Sequence, residues 1–261
     1  MDFMKSPKGF LIDLDGVMYT GNSPVPGAKD AIDFISKSGL PYRFLSNTTR
    51  KSRKTIAGRL AGMGLIIPEQ YIFTPAVAAS AYILNSGKHK CWFLITGDAD
   101  RDFDPSLVPT LDETVDCVVI GDAGEKITYD TLNTAFRHLM CGAGLIALER
   151  DRYWMAEDGL SLSAGPFVSA LEFATGLKAV VIGKPSPEFF LLALKDMGIL
   201  PEEAVMIGDD ILTDIAGAQA LGMKGVLVRT GKFQQNVVQS SGVRPDYTID
   251  SIKDLPELCR T

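Results

Sequence analysis

Short apolar runs alternate along this chain with stretches in which apolar residues recur every three or four positions. That rhythm predicts strands and helices in turn, and hence a parallel sheet with crossover helices. The first run covers residues 9–14 and stops abruptly in Asp15-Gly16. Ala31, Ile32, Phe34 and Ile35 fall at helical spacing within residues 28–38, and Gly39 supplies a stop. Residues 42–45 read as a second strand ending at Ser46-Asn47-Thr48-Thr49; Ser52 is placed to cap a helix running to about Met63, and Pro75 opens another. From about residue 79 the rhythm changes. Residues 91–95, 115–120 and 145–148 read as strands, 131–140 and 166–175 as helices, and 153–163 as a hairpin turning at Asp158-Gly159. The first rhythm then resumes. Strand 178–182 ends in Gly183-Lys184-Pro185, Ser186-Pro187 starts a helix, and strand 204–207 ends in Gly208-Asp209-Asp210. Residues 214–221 read as a helix stopped by Gly222, and 225–228 and 247–249 close the sheet. The interruption predicts an α/β fold: a Rossmann-like parallel-sheet core of residues 1–78 and 180–261, with an inserted α/β domain over 79–179.

Four strand ends carry polar groups: Asp13 with Asp15, Ser46, Lys184, and Asp209 with Asp210. In a parallel sheet these ends share one edge, where open α/β folds bind their ligands. Asp13 and Asp15 are two apart and point the same way in extended backbone, and Gly16 then permits a turn. Alone, this motif is equally well a strand stopping in a polar turn; Ser46 alone is a turn serine, Lys184 an exposed lysine and Gly208-Asp209-Asp210 a loop. Together they describe a metal-and-phosphate site. Clustered carboxylates suit a hard octahedral cation such as Mg²⁺, and a hydroxyl, backbone N–H groups and a lysine suit a phosphoryl group.

Composition narrows the partners. The 261 residues are 46% hydrophobic, enough for a sizeable core, and the net charge of −6 comes without a basic block, which argues against nucleic acid. No window is apolar enough for a membrane span, and Met1-Asp2-Phe3-Met4-Lys5 lacks the apolar stretch of a signal peptide, so a cytoplasmic protein is expected. The four cysteines, Cys91, Cys117, Cys141 and Cys259, form no CxxC pair and read as buried free thiols of a reducing compartment. His89 and His138 lie near no motif.

The ordered set resembles the haloacid dehalogenase superfamily, and within it the nitrophenylphosphatase-like (NagD-type) branch, whose large C2-type cap is inserted between the second and third motifs. Asp13-Leu14-Asp15-Gly16, Leu45-Ser46-Asn47, Gly183-Lys184-Pro185 and Gly208-Asp209-Asp210 through Thr213-Asp214 match the four motifs in order. Gly165-Pro166-Phe167 to Glu172 and Val228-Arg229-Thr230-Gly231-Lys232 extend the likeness over essentially the whole chain. Met18, where leucine is common, and Ser46, where threonine is common, are mild departures.

The resemblance implies a Mg²⁺-dependent phosphatase acting on small phosphorylated metabolites such as sugar, glycerol or nucleoside phosphates. It implies Asp13 as nucleophile and Asp15 as general acid and base. Mg²⁺ would be held by the Asp13 and Asp209 carboxylates and the Asp15 backbone carbonyl. Asp214 and Asp210 would orient the metal's ligands. Ser46, Asn47 and Thr48 would hold the phosphoryl oxygens, and Lys184 would pair with both Asp13 and the phosphoryl group. Trp154 is implied as a residue facing the leaving group, with Arg152, Tyr153, Asp158 and the segment Asp122-Ala123-Gly124 as weaker candidates. Relatives dimerise through their caps, so a homodimer is implied too. Alternatives are hydrolysis of phosphoamide or pyrophosphate bonds, and a phosphate-binding regulatory protein without turnover. A dehalogenase would not need the metal set, nor a phospho-receiver domain the long insertion.

Overall fold

The computed structural model describes residues 7–110, 113–156 and 158–260; the start Met1–Lys5 lies outside them. The chain runs β1 (Gly9–Asp13), the hairpin β2 (Tyr19–Thr20) and β3 (Ser23–Pro24), α1 (Ala28–Lys37), β4 (Tyr42–Leu45), α2 (Arg53–Gly62), β5 (Ile72–Phe73) and α3 (Pro75–Asn85). It continues through β6 (Cys91–Leu94), β7 (Cys117–Ile120), α4 (Tyr129–Met140), β8 (Gly144–Ala147), β9 (Tyr153–Ala156), β10 (Gly159–Leu162), α5 (Gly165–Thr175) and β11 (Val180–Val181). It closes with α6 (Pro187–Met197), β12 (Ala204–Gly208), α7 (Gly217–Gln219), β13 (Lys224–Val228), α8 (Gln235–Ser241), β14 (Tyr247–Ile249) and α9 (Leu255–Leu258). These elements form two compact units, one of residues up to 46, 54–73 and from 184 on, the other of residues 47–53 and 74–183.

The first unit is a six-stranded parallel sheet in the order β14-β13-β12-β1-β4-β5. Every residue of β1 and β12 is buried, as expected when helices cover both faces of a parallel sheet. On one face Phe10, Ile12 and Leu14 pack with Phe44, Val205, Ile207 and Val226, under Ala28, Ala31 and Ile35 of α1 and Ile56 and Leu60 of α2. The buried residues of α1 are spaced as one stripe of a helix. On the other face Phe73 meets Phe189 of α6, with ring centroids 5.4 Å apart. Each large apolar side chain sealed this way contributes about 1.5–3 kcal/mol.

The register fixes the site. Ile12 pairs with Ile207 and Asp13 with Leu45. Asp13, Ser46 just after β4, and Asp209 just after β12 therefore emerge at one edge.

The second unit has its own parallel sheet, β11-β8-β7-β6, and an antiparallel hairpin, β9–β10. Its core joins Val118, Ile120, Leu145 and Ala147 to Ala135 and Leu139 of α4 and Val168 and Leu171 of α5. Segment 47–53 belongs here through side-chain bonds: Ser52 donates its N–H and hydroxyl to Asp98, and Arg53 donates its N–H to Asp102 at 2.8 Å.

Four readings of the sequence change. The strand pair β2–β3 and edge strand β5 were not expected. α4 starts two residues early, because Thr128 accepts from the Thr131 N–H and forms a capping box. The expected helix at 214–221 begins instead as a wide turn over Ile211–Ala216, because the Asp210 carboxylate accepts from the N–H groups of Leu212 and Thr213. Cys91 and Cys117 are not free thiols. They are register partners on adjacent strands, 4.8 Å apart at Cα, and form a disulfide; Cys141 is exposed and Cys259 half-buried.

Candidate active site

The first unit gathers Asp13, Asp209, Asp214 and Lys184 at the carboxyl edge of its sheet, all buried. Lys184 Nζ donates to Asp13 Oδ1 at 2.5 Å and to Asp214 Oδ1 at 2.7 Å. Carboxylate oxygens of Asp13, Asp209 and Asp214 all lie within 4.8 Å of one another. Asp209 Oδ2 accepts from the Lys232 N–H at 2.6 Å. Its Oδ1 is buried and lacks a hydrogen-bond partner, alone in this among the described side chains. The Asp214 Oδ2 accepts from the Asp210 N–H at 3.2 Å. Asp210 thus supports the cluster through its backbone, while its carboxylate caps the following turn.

Glycines make this density of charge sterically possible. A Cβ on Gly16 (φ 87°) or on Gly231 (φ 59°) would collide with Asp209 Oδ2, and one on Gly208 with the Asp214 side chain. Thr230 Oγ1 donates to the Gly16 carbonyl at 2.5 Å and ties the two glycine loops together.

Three carboxylates face one ammonium, so the cluster is short of positive charge. Burial pushes the Asp13 carboxyl up to about 8, against the pull of Lys184 and with Asp214 and Asp209 adding to the rise. Burial likewise pushes Asp209 up to about 6, although the Lys232 N–H favours its charged form. Burial opposes the Lys184 charge, but Asp13 and Asp214 outweigh it and hold its pKa raised. A buried, unpartnered carboxylate oxygen among hard oxygen donors is what a divalent cation such as Mg²⁺ would complete.

Asp15 follows with its side chain exposed, and its carboxylate is not in the cluster. Ser46 is buried, and its N–H donates to the Phe73 carbonyl at 3.1 Å. Asn47, Thr48 and Trp154 belong to the second unit. There Trp154 is 38% exposed on β9, with the Arg50 guanidinium 5.5 Å from its ring centroid and the Arg50 Nε 3.6 Å from Asp122. Thr49 Oγ1 accepts from the Asp122 N–H. Of the sequence-predicted residues, the fold thus unites Asp13, Lys184, Asp209 and Asp214. The N–H of Lys232 has no signature in a sequence, since any residue type supplies one.

Two family models match the chain: a haloacid dehalogenase-like hydrolase model over residues 10–103 and a HAD-hydrolase-like model over 181–255. The haloacid dehalogenase-like hydrolase domain-containing protein 2 of Rattus norvegicus is 42% identical over 244 residues, covering 94% of this chain and 92% of that protein. The phospholysine phosphohistidine inorganic pyrophosphate phosphatase of Danio rerio is 40% identical over 258 residues, covering 97% and 94%. Among solved structures, the p-nitrophenyl phosphatase from Archaeoglobus fulgidus superposes with a TM-score of 0.87 at 28% identity, covering 97% of this chain and 99% of that one. NagD from E. coli K-12 gives 0.86 at 26% identity, covering 95% and 98%.

Proposed function

The chain belongs to the haloacid dehalogenase-like hydrolases and is a phosphatase of that family, and from this premise we propose that it is a Mg²⁺-dependent phosphomonoesterase of small phosphorylated metabolites, working through an aspartyl phosphate. The observation that carries this reading is the Lys184 ammonium held on Asp13 while an oxygen of the neighbouring Asp209 is left unpartnered. A carboxylate whose repulsion toward a phosphoryl group is offset by cations can attack phosphorus.

In the first half-reaction an Asp13 oxygen bonds to phosphorus, the bond to the leaving oxygen breaks, and Asp15 delivers a proton to that oxygen. In the second, Asp15 takes a proton from water as the water oxygen bonds to phosphorus, which frees the Asp13 carboxylate and inorganic phosphate. Ser46, Asn47 and Thr48 would hold the non-bridging oxygens, with Lys184 balancing their charge. The Asp13 and Asp209 carboxylates and the Asp15 backbone carbonyl would hold Mg²⁺, with Asp210 and Asp214 orienting its ligands. Bound there, the cation supplies charge stabilisation of the transferring phosphoryl. Residues 1–78 and 180–261 would form the catalytic core and 79–179 a C2-type cap, in which Trp154 reads the leaving group. A cytoplasmic location and a homodimer are part of the same proposal.

A second reading, hydrolysis of phosphoamides or pyrophosphate, is favoured by the 40% identity to a relative named for those substrates. One experiment tests both: phosphate release from a panel of phosphomonoesters, phospholysine, phosphohistidine and pyrophosphate, with Mg²⁺ or with excess chelator. Mg²⁺-dependent release led by the monoesters is expected. Leadership by the P–N compounds or pyrophosphate would select the second reading, and full activity in chelator or in Asp13→Asn would overturn both.

A further inference from the structure

The proposed function needs Asp15 in place through two proton transfers, yet Asp15 sits exposed on a turn rather than in the packed cluster. What fixes that turn is Tyr19. The N–H groups of Met18 and Tyr19 donate to the Leu14 carbonyl at 2.9 and 3.3 Å, and the Gly16 N–H donates to the Tyr19 carbonyl at 2.7 Å. Asp15 and Tyr19 themselves form a backbone bridge. Wherever Tyr19 goes, Asp15 follows.

Tyr19 in turn opens the β2–β3 hairpin, which has two residues in each strand. A ladder that short does not hold itself. The core holds its ends, where Tyr19 and Val25 are buried and the Val25 N–H donates to the Met18 carbonyl at 3.0 Å, and Arg59 holds its turn. Its guanidinium lies 4.8 Å from the Tyr19 ring centroid, and Nη2 donates to the Gly21 carbonyl at 2.6 Å and to Asn22 Oδ1 at 3.2 Å. One planar cation thereby grips the first residue of the hairpin by its ring and the turn by two oxygens. Arg59 can act as an anchor because its helix is fixed: Ile56 and Leu60 on α2 are in the core. Burial raises the Tyr19 hydroxyl to about 12, with the Asp15 charge adding and the Arg59 charge opposing, as expected of three close groups.

We propose that Arg59 is a positioning residue for Asp15, clamping the β2–β3 hairpin and the Tyr19 ring so that the Asp15 carboxylate is held where it exchanges protons. The proposal rests on Asp15 being the acid and base of the reaction. It predicts a loss confined to the steps that need a proton, since Asp13, Asp209, Asp214 and Lys184 make no contact with Arg59 in the bonds that hold them.

The experiment compares the burst of p-nitrophenolate with steady-state turnover for wild type, Arg59→Ala, Arg59→Lys, Tyr19→Leu and Asp15→Asn, in Mg²⁺. A nitrophenolate leaves without a proton, so Asp13 can still be phosphorylated in all of them. Arg59→Ala should show a burst approaching one nitrophenolate per chain, with steady-state turnover down about 10–100-fold, the scale of loss when a catalytic group is displaced by about 1 Å. Glycerol phosphate, whose alkoxide needs its proton, should lose more. Arg59→Lys should recover part of the loss, because it restores the charge but not the two-pronged grip. Tyr19→Leu should reproduce the Arg59→Ala pattern, and covers the case in which Arg59→Ala does not fold. A burst and a turnover that fall together in Arg59→Ala and Tyr19→Leu, or a turnover unchanged in both, would overturn the clamp. If Asp15→Asn itself turned over normally, the role of Asp15 would fail, and that result is distinct from an intact Asp15 effect with no Arg59 effect.

Discussion

Asp13 and Asp15 stand two residues apart and differ in everything that decides chemistry: one is buried on a lysine, the other is exposed on a turn. Acid-quenched mass spectrometry after mixing with p-nitrophenyl phosphate and Mg²⁺ should therefore find a phosphate adduct on Asp13 in Asp15→Asn and none in Asp13→Asn. An adduct in Asp13→Asn would name a different nucleophile. The charge shortage also makes stability depend on pH. With their carboxyls raised to about 8 and about 6, Asp13 and Asp209 keep protons in the folded, metal-free protein that the unfolded chain releases near 3.8. The folded state then binds more protons, so these groups make stability fall as pH rises through that window. In chelator, Tm should drop between pH 5 and pH 8 more in wild type than in Asp13→Asn, and each kcal/mol is worth about 2–4 °C in a chain of this size. Equal slopes would show that the Asp13 proton is not taken up on folding. Asp209→Ala should reduce turnover at least about 10²-fold at ordinary Mg²⁺, with part recovered at high Mg²⁺. The aspartates and Lys184 were legible because a charged residue directly after an apolar run is conspicuous. Asp210 was legible as an acid but not as a cap, and Arg59 stood on a helix whose sequence offers no hint of the hairpin it grips.

Elements show where pattern reading stops working. Five-residue runs such as β1 and β12 were plain, because burial on both faces leaves no polar position within them until the site begins. β2, β3 and β5 have two residues each, too few for any period to appear. The wide turn at Ile211–Ala216 was hidden because its cause is one side chain, the Asp210 carboxylate accepting from the N–H groups of Leu212 and Thr213, and not a periodic pattern. Caps and glycines are testable at this scale. Thr128→Ala removes the cap of α4 and should cost about 1 kcal/mol in denaturant unfolding without changing nitrophenyl phosphate turnover. Gly231→Ala should damage the site as well as stability. It forces a Cβ at φ 59° against Asp209 Oδ2, costing about 1–2 kcal/mol in backbone strain and weakening Mg²⁺ affinity. Calorimetric titration of Mg²⁺ checks this, and unchanged affinity would show that the Gly231 loop yields freely.

The whole molecule is two compact units joined by a chain that passes from one to the other at 46/47, 53/54, 73/74 and 183/184. The long insertion was legible as a change of rhythm; the short excursion 47–53 was not, because what commits it is the pairing of Ser52 and Arg53 with Asp98 and Asp102. An excised fragment 74–183 would leave those carboxylates without the partners. It should melt several degrees below the same unit in the intact protein, and equal melting would mean that segment 47–53 adds nothing to it. The position of β1 has a consequence in time as well. It is flanked by β4, made almost at once, and by β12, whose Ala204 pairs with Gly9. At about 5–20 residues per second, a ribosome needs roughly 10–40 s to deliver that second neighbour. Throughout this interval the strand that bears Asp13 is an open edge, apolar up to that residue, the kind that recruits foreign strands. The nascent chain therefore depends on being shielded during synthesis, and an mRNA that stalls translation between codons 184 and 204 should shift the product toward the insoluble fraction while leaving the mature sequence untouched.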